Sequence, residues 1–229
     1  MLLIIGQSGS KPELRQKNCG FTIIELMIAS SVFAVLLLVV TAGILSFTRQ
    51  NYKGIVSTRT QTAARSITTE VSQAIQFGSN VNVGLSGSGS EKGFCIDNKL
   101  FSYILGQQVM DKGGLTANHQ GYHGLIVSSS GVSCTVTTVP TVLPTVPTLA
   151  TNQRELLGNN MRLAALDVAA NGDLYTIHVR VVYGDDVALS PAVTSTTTNW
   201  PGEHCVGDAN GSQYCAISDL TTTVQKRLQ

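Results

Sequence analysis

A single carboxylate lies inside the first apolar stretch of the sequence. The 27 residues from Phe21 to Phe47 contain one charged side chain, Glu25. As a helix rising about 1.5 Å per residue, the stretch is about 40 Å long, which is enough to cross a bilayer. A charge at the membrane centre costs about 2.5 to 3.5 kcal/mol on insertion scales. The helix dipole lowers this cost near a helix N-terminus without removing it, so Glu25 requires a partner.

The residues before the stretch indicate that peptide cleavage supplies that partner. They carry a net charge of +2 from four side chains: Lys11, Glu13, Arg15 and Lys17. A cleaved secretory signal has a shorter apolar region with the small residue behind it, whereas here Gly20 stands in front. A cut between Gly20 and Phe21 leaves a new amine about 6 Å along the helix from Glu25. In apolar surroundings this ammonium and the carboxylate compensate each other, within one chain or between neighbouring chains.

The sequence KNCG followed by FTIIELMIA, residues 17–29, resembles the processing site of type IV prepilins and pseudopilins. The resemblance implies that Gly20 is the determinant for a prepilin peptidase and that Phe21 becomes the N-methylated first residue. It also implies that Glu25 is the assembly residue, paired with the N-terminus of a neighbouring subunit. The alternative is an uncleaved signal anchor that holds a surface enzyme or receptor, which leaves the charge of Glu25 unexplained.

The same resemblance divides the chain into a leader, a long helix and a head. The leader is expected over residues 1–20 and the helix over 21–78, with 21–47 in the membrane and later in the filament core. An antiparallel β head is expected over 79–229. The fold class is therefore α+β, with a transmembrane half and an amphipathic half of one helix, and disulfides in the head.

By this resemblance the chain is a structural, non-enzymatic subunit of a type IV pilus or a type II secretion-like filament. Such filaments serve motility, adhesion, DNA uptake or secretion. The expected location is a single pass of the cytoplasmic membrane with the head outside, followed by the extracellular filament. The expected partners are a prepilin peptidase and methyltransferase, other pilin subunits and an inner-membrane assembly platform. A net charge of +1 gives no reason to expect nucleic-acid binding.

Within the family, the large head, long hairpin and tail are similar to those of PilW- or PulJ-like minor subunits. Two other roles compete with this one. A major shaft subunit and a membrane-anchored binding protein that never polymerises remain open as alternatives. No cofactor is expected.

The cysteines are informative once they are sorted by the proposed cut. Cys19 precedes it, while Cys95, Cys134, Cys205 and Cys215 follow it and leave an even number in the mature chain. An even set in a chain with an export signal indicates an oxidising compartment, although four cysteines allow three pairings. We expect Cys95 to pair with Cys134 and Cys205 with Cys215, because both bridges close local loops. Free buried thiols in a reducing cytosol are the alternative.

Few other side chains have the spacing of a chemical site. His119 and His123 are four residues apart, but their flanking turn residues predict a loop, and no further ligand is placed nearby. Four oxygen-bearing residues of the kind that bind calcium fall in turns: Asp185, Asp186, Asp208 and Asn210. Only a fragment of a calcium-loop pattern surrounds them, so solvated turns are expected. We predict neither a metal site nor a catalytic site.

Helical periodicity continues beyond the apolar stretch. Apolar residues recur at a spacing near 3.6: Ile55, Val56, Ala63, Ala64, Ile67, Val71, Ala74 and Ile75. The pattern predicts one helix from about Thr22 to Phe77, with Gly78 as part of the stop signal. Two helices hinged near Gly54 are the alternative.

The head has the alternating patterns of β-strands. Strands are predicted over six segments: 93–96, 100–105, 124–128, 132–138, 161–168 and 174–183. The last two form the clearest hairpin, with a turn around Asn171 and Gly172. The glycine-rich segment 84–93 lacks the pattern of a phosphate loop and is interpreted as a flexible connector. Three prolines in residues 139–151 exclude a central strand there and favour an extended loop or edge.

Overall fold

The computed structural model describes most of the chain, with gaps. The described residues are 20–86, 91–109, 123–129, 149–185, 189–190, 204–205 and 214–227. By its contacts the chain forms two units, Met1–Ser46 and Phe47–Gln229.

One helix, α1, occupies Ile23–Phe77 and is continuous through Gly54, so the hinged alternative is wrong. In the second unit, six of its side chains are buried at intervals of three or four residues: Val56, Thr60, Ala64, Ile67, Val71 and Ile75. Ile55 was expected in this stripe but is 51% exposed. Ile55 lies about 100° around the helix from Val56 and falls outside the buried stripe. Thr60 is tolerated in the core since its hydroxyl donates a hydrogen bond to the Val56 carbonyl at 2.9 Å.

Five antiparallel strands form the first sheet, in the order β1 to β5. They are β1 Val81–Ser86, β2 Glu91–Ile96, β3 Lys99–Ile104, β4 Leu125–Ser128 and β5 Gln153–Glu155. The second sheet has the order β10-β7-β6, and β8 pairs with β9. These strands are β6 Met161–Asn171, β7 Leu174–Tyr183, β8 Leu189–Ser190, β9 His204–Cys205 and β10 Ala216–Gln225.

The core of the second unit lies between the buried stripe of α1 and the inner faces of the two larger sheets. Ile67 and Val71 of α1 belong to one buried cluster with Phe94, Phe101 and Ile177. The rings of Phe94 and Phe101 stack with their centroids 4.6 Å apart. Each such side chain contributes about 1.5 to 3 kcal/mol when fully buried. The predicted α+β fold, a long N-terminal helix packed on antiparallel sheets, is confirmed.

A buried hydrogen bond joins the first sheet to the second. The Tyr103 hydroxyl donates to the Leu166 carbonyl at 2.8 Å. Burial, and to a smaller extent the charge of Asp167, raises the pKa of the Tyr103 phenol. The phenol therefore stays protonated and keeps its role as donor across the physiological pH range.

Five of the six predicted strands are present, with small changes at their ends, and residues 132–138 lie outside the described part of the chain. The interpretation of residues 84–93 as a connector is wrong at both ends, because β1 continues to Ser86 and β2 begins at Glu91, and residues 87–90 lie outside the described part of the chain. Gly84 has a φ of 79°, and the β1–β2 register shifts between Asn82 and Leu85. A β-bulge thus accommodates a glycine that favours a loop when it is considered alone.

The last long strand, β10, was not predicted at all. Its ten residues pair with β7 from Ala216 opposite Tyr183 to Gln225 opposite Leu174. A side-chain hydrogen bond reinforces the contact, since Asp219 Oδ1 lies 2.8 Å from His178 Nε2. The three consecutive threonines of β10 hide the alternation that marks a strand.

The end of α1 requires glycine at position 78. A Cβ added to Gly78 would lie 2.6 Å from Ile96 Cγ2 and 2.7 Å from the Ala74 carbonyl oxygen. We predict that Gly78→Ala lowers the free energy of unfolding by about 1 to 3 kcal/mol, as overpacking usually does. Gly54→Ala is the matched control, since an added Cβ there meets nothing within 4 Å and stabilises a helix interior by about 0.5 to 1 kcal/mol. Urea unfolding of the full chain in detergent measures both, and equal stabilities for the two variants would contradict the prediction.

Asp97 holds the segment that follows α1. Its carboxylate accepts the Ser79 N–H at 3.0 Å and the Asn80 N–H at 2.8 Å. Partial burial alone would raise the pKa of the Asp97 carboxyl, but these two N–H groups and the Ser79 hydroxyl outweigh it and lower the pKa. The ionised carboxylate is therefore the form that stabilises this corner.

We predict that Asp97→Asn destabilises the fold by about 1 to 2 kcal/mol at neutral pH, because charge-assisted bonds are replaced by weaker ones. Since the pKa of Asp97 is lower in the folded chain, its contribution is full above the unfolded pKa of about 3.9. It is lost as the pH falls through the folded value. Urea unfolding at neutral pH and near pH 3 checks this, and a variant as stable as the wild type at neutral pH would contradict it.

Candidate functional site

The predicted processing residues lie at the exposed start of α1. Gly20, Phe21 and Thr22 precede the helix, and Phe21 is 83% exposed. A Cβ added to Gly20 would meet nothing within 4 Å. The described fold thus gives no packing reason for glycine at this position.

Thr22 and Glu25 occupy the positions of a capping box at the start of α1 and make one of its two hydrogen bonds, a contact that was not predicted. The Glu25 N–H donates to Thr22 Oγ1 at 3.4 Å, and the Thr22 hydroxyl donates to Glu25 Oε2 at the same distance. Thr-x-x-Glu before an apolar run is the usual signature of this N-terminal cap, so the signal was present in the sequence.

This cap gives Glu25 a role within a single chain, but it does not explain why residue 25 carries a negative charge. Glutamine at the same position closes a capping box as well, and replacing a cap residue costs only about 0.5 to 2 kcal/mol. Both hydrogen bonds are long and exposed. The negative charge of Glu25 therefore remains available to a cation outside this helix turn.

The first half of α1 is an exposed apolar surface. Its most apolar 18-residue window has a mean hydropathy of 2.7, and none of that window is buried, so α1 is long and apolar enough to cross a membrane. The hydroxyls of Ser30, Ser31 and Thr41 donate to helix carbonyls at 3.0, 2.9 and 2.7 Å. Because these hydroxyls are satisfied inside the helix, they add little to the cost of placing it in lipid or against other helices.

One predicted disulfide is present. Cys205 and Cys215 are bonded, with their Cα atoms 5.7 Å apart, and the bridge ties β9 to the residue before β10. In the loop-entropy account, closing so short a loop contributes roughly 3 kcal/mol. Cys95 is also disulfide-bonded, but Cys134 lies outside the described residues, so that pairing stays a prediction. Cys19 lies outside them as well.

The residues considered as metal ligands are only partly described. His123 Nδ1 lies 3.4 Å from Glu155 Oε2, and Glu155 accepts the N–H groups of Gly124, Leu125 and Leu157. Glu155 therefore anchors the ends of β4 and β5. Within the described ranges, no three or more His, Cys, Asp or Glu residues are close enough to hold a metal ion.

Asp185 is the remaining described member of that set, and its carboxylate accepts a hydrogen bond from Gln108 at 3.2 Å. Four of the residues considered lie outside the described part of the chain: His119, Asp186, Asp208 and Asn210.

Comparison with known proteins finds a family match at the start of the chain. Residues 15–41 match the family model of the prokaryotic N-terminal methylation motif. No curated protein and no solved structure matches the chain. The match includes the proposed cut, Glu25 and most of the apolar run, and it ends before the second unit begins. The motif suggests a structural protein rather than an enzyme.

Proposed function

We propose that this type IV pilin-like chain is a filament subunit that is cut between Gly20 and Phe21, methylated on the Phe21 amine and assembled through α1. One observation supports this most strongly. The match over residues 15–41 coincides with the exposed apolar part of α1, whose single charge, Glu25, lies in the first turn of the helix. Each of the three residues then has a role: Gly20 in processing, Phe21 in methylation and Glu25 in assembly.

The apolar segment suits two environments in succession. Before assembly, residues 21–47 anchor the chain in the cytoplasmic membrane with the head outside. In the filament the same surface packs against the helices of other subunits. Lipid tails are as apolar as leucine side chains, so this transfer gains little hydrophobic free energy.

The pairing of opposite charges therefore has to align the subunits during assembly. The Phe21 ammonium of one subunit and the Glu25 carboxylate of another attract strongly in an apolar medium, where charges are poorly screened. An incoming subunit that aligns these groups gains the pair, and a misaligned one leaves both charges unpaired. Breaking such a pair costs about 3 to 5 kcal/mol, which is enough to select one register.

The other expected partners follow from this route. A prepilin peptidase and methyltransferase acts on the leader junction, and an inner-membrane assembly platform extracts the subunit from the bilayer. The Cys205–Cys215 disulfide fits a head exposed to an oxidising compartment. The extracellular filament is the final location.

Within the family we propose a minor subunit of the PilW- or PulJ-like kind. The support is the large head, with its long β6–β7 hairpin and the ten-residue C-terminal strand β10. Mass spectrometry of sheared filaments tests both the proposal that the chain is a filament subunit and the proposal that it is a minor one. A few copies per filament are expected, whereas a dominant share would identify a major subunit. Absence from the filaments would indicate a membrane-anchored binding protein instead.

A further inference from the structure

A groove on the second unit has room for part of another protein. It measures about 480 Å³ and is lined by α1, by the segment around the start of β6 and by the end of β7, including Arg59, Ala63, Leu156, Met161 and Tyr183. The Thr58 and Thr62 hydroxyls on its rim donate to carbonyls of α1 at 2.9 and 2.8 Å. The groove therefore presents mainly methyl groups and apolar side chains.

Arg59 is the only charged residue that lines the groove. Within the described part of the chain it forms no hydrogen bond and no ion pair. An occupant that places an apolar side chain in the groove and a carboxylate beside Arg59 matches this surface in both shape and charge.

The tip of the β6–β7 hairpin has this combination. Gly172, with a φ of 63°, and Asp173 form a tight turn, and the next residue, Leu174, is 47% exposed. The Asp173 carboxylate has no hydrogen-bond or ion-pair partner among the described residues. The Lys226 N–H donates to the Asp173 carbonyl at 2.9 Å, which fixes the turn and lowers the entropy lost on binding.

The tip cannot reach the groove of its own chain. The strand β6 begins at Met161, in the wall of the groove, and ends at Asn171, at the tip. Ten residues at about 3.3 Å each separate the two by roughly 33 Å. A contact between them must join two molecules, and because it is heterologous it can join two adjacent copies or continue along a row of them.

We propose that the hairpin tip of one copy of this chain docks in the groove of the next, with Leu174 among the apolar side chains and Asp173 paired with Arg59. The inference rests on the proposed function, because it requires at least two copies of this chain to be adjacent in a filament, and the few copies of a minor subunit meet this requirement only where they lie together. A turn and a small groove bury less than a standard interface. The contact is therefore weak alone and acts together with packing of the apolar helices.

The test uses the full chain in filaments sheared from cells, with a benzophenone amino acid in place of Leu174. Irradiation is expected to join position 174 to groove peptides containing Arg59 or Met161. Cross-links to another surface, or to a different protein, would overturn the inference. If the wild-type chain is absent from filaments, the proposed function fails too. If it is present without groove cross-links, only the inference fails.

Charge exchange provides the second measurement. Arg59→Asp and Asp173→Arg are each expected to lower the cross-link yield at least about tenfold, and combining them should restore it to within about threefold of wild type. Arg65→Asp, on the same helix but outside the groove, should change nothing. If the benzophenone amino acid itself hinders assembly, the same variants are made without it and their incorporation into filaments is measured. The same order is expected, with both single variants reduced, the double variant restored and Arg65→Asp unchanged. A double variant no better than either single one would refute the pairing.

Discussion

Glu25→Gln is expected to give a processed, membrane-anchored subunit that enters filaments at least about a hundredfold less often than the wild type. The substitution retains the shape and the capping hydrogen bonds of residue 25 and removes only its charge. Losing one member of an ion pair in apolar surroundings costs about 3 to 5 kcal/mol, and each 1.4 kcal/mol is a factor of ten. Quantitative immunoblots of sheared filaments and of membranes measure the two pools.

Glu25→Ala and Thr22→Val distinguish charge pairing from capping. Glu25→Ala loses both contributions and should be as deficient as Glu25→Gln. Thr22→Val loses the partner of the cap and keeps the charge, so its incorporation should fall far less. If Glu25→Gln assembled like the wild type while Glu25→Ala did not, the carboxylate would serve only as a helix cap.

Gly20→Val is expected to abolish processing and leave the full-length precursor in the membrane. Since an added Cβ meets nothing at Gly20, the substitution leaves the described fold intact. A block would then arise in the peptidase, where a branched side chain prevents close approach to the backbone at the scissile bond. Co-expression with a prepilin peptidase, followed by intact-mass measurement, detects the precursor.

Gly43→Ala serves as the control for Gly20→Val. An added Cβ at Gly43 also meets nothing within 4 Å, but this residue lies within the apolar helix and away from the proposed cut. This variant should be processed completely. A Gly20→Val chain of the same mature mass as the wild type would contradict the role of Gly20 as the determinant for the peptidase.

Helical features of the chain could be predicted because they repeat along the sequence. The uninterrupted apolar run from Phe21 to Phe47 and the stripe from Val56 to Ile75 each extend over several turns, so single exceptions such as Ile55 do not obscure them. The hairpin of β6 and β7 was predictable for the same reason, since apolar and polar residues alternate in β7 on both sides of Val179.

Features set by tertiary pairing could not be predicted in this way. Gly84 favours a loop locally, and only the register between β1 and β2 reveals the bulge that accommodates it. The threonines of β10 become a strand because β7 provides a partner along its whole length. The end of α1 depends on Asp97, which lies 18 residues beyond Ser79.

At the candidate site, the sequence pointed to Gly20, Phe21 and Glu25 but not to the contact between Thr22 and Glu25. The motif match over residues 15–41 supports the resemblance at Gly20, Phe21 and Glu25. The contact with Thr22 was not predicted, because a lone charge in an apolar run indicates a charged partner, and Thr22, three residues away, is uncharged. The roles of these residues in processing and assembly are proposals.

The most direct test of the proposed function is the identity of the first residue of the mature chain. The wild-type protein, isolated from membranes and from sheared filaments, would be analysed by intact mass and by sequencing of its N-terminal peptide. We predict a chain that begins at Phe21 and carries a methyl group on its N-terminal amine. A chain that retains the leader, or one that begins elsewhere with an unmodified amine, would contradict the proposal that this protein is a processed filament subunit.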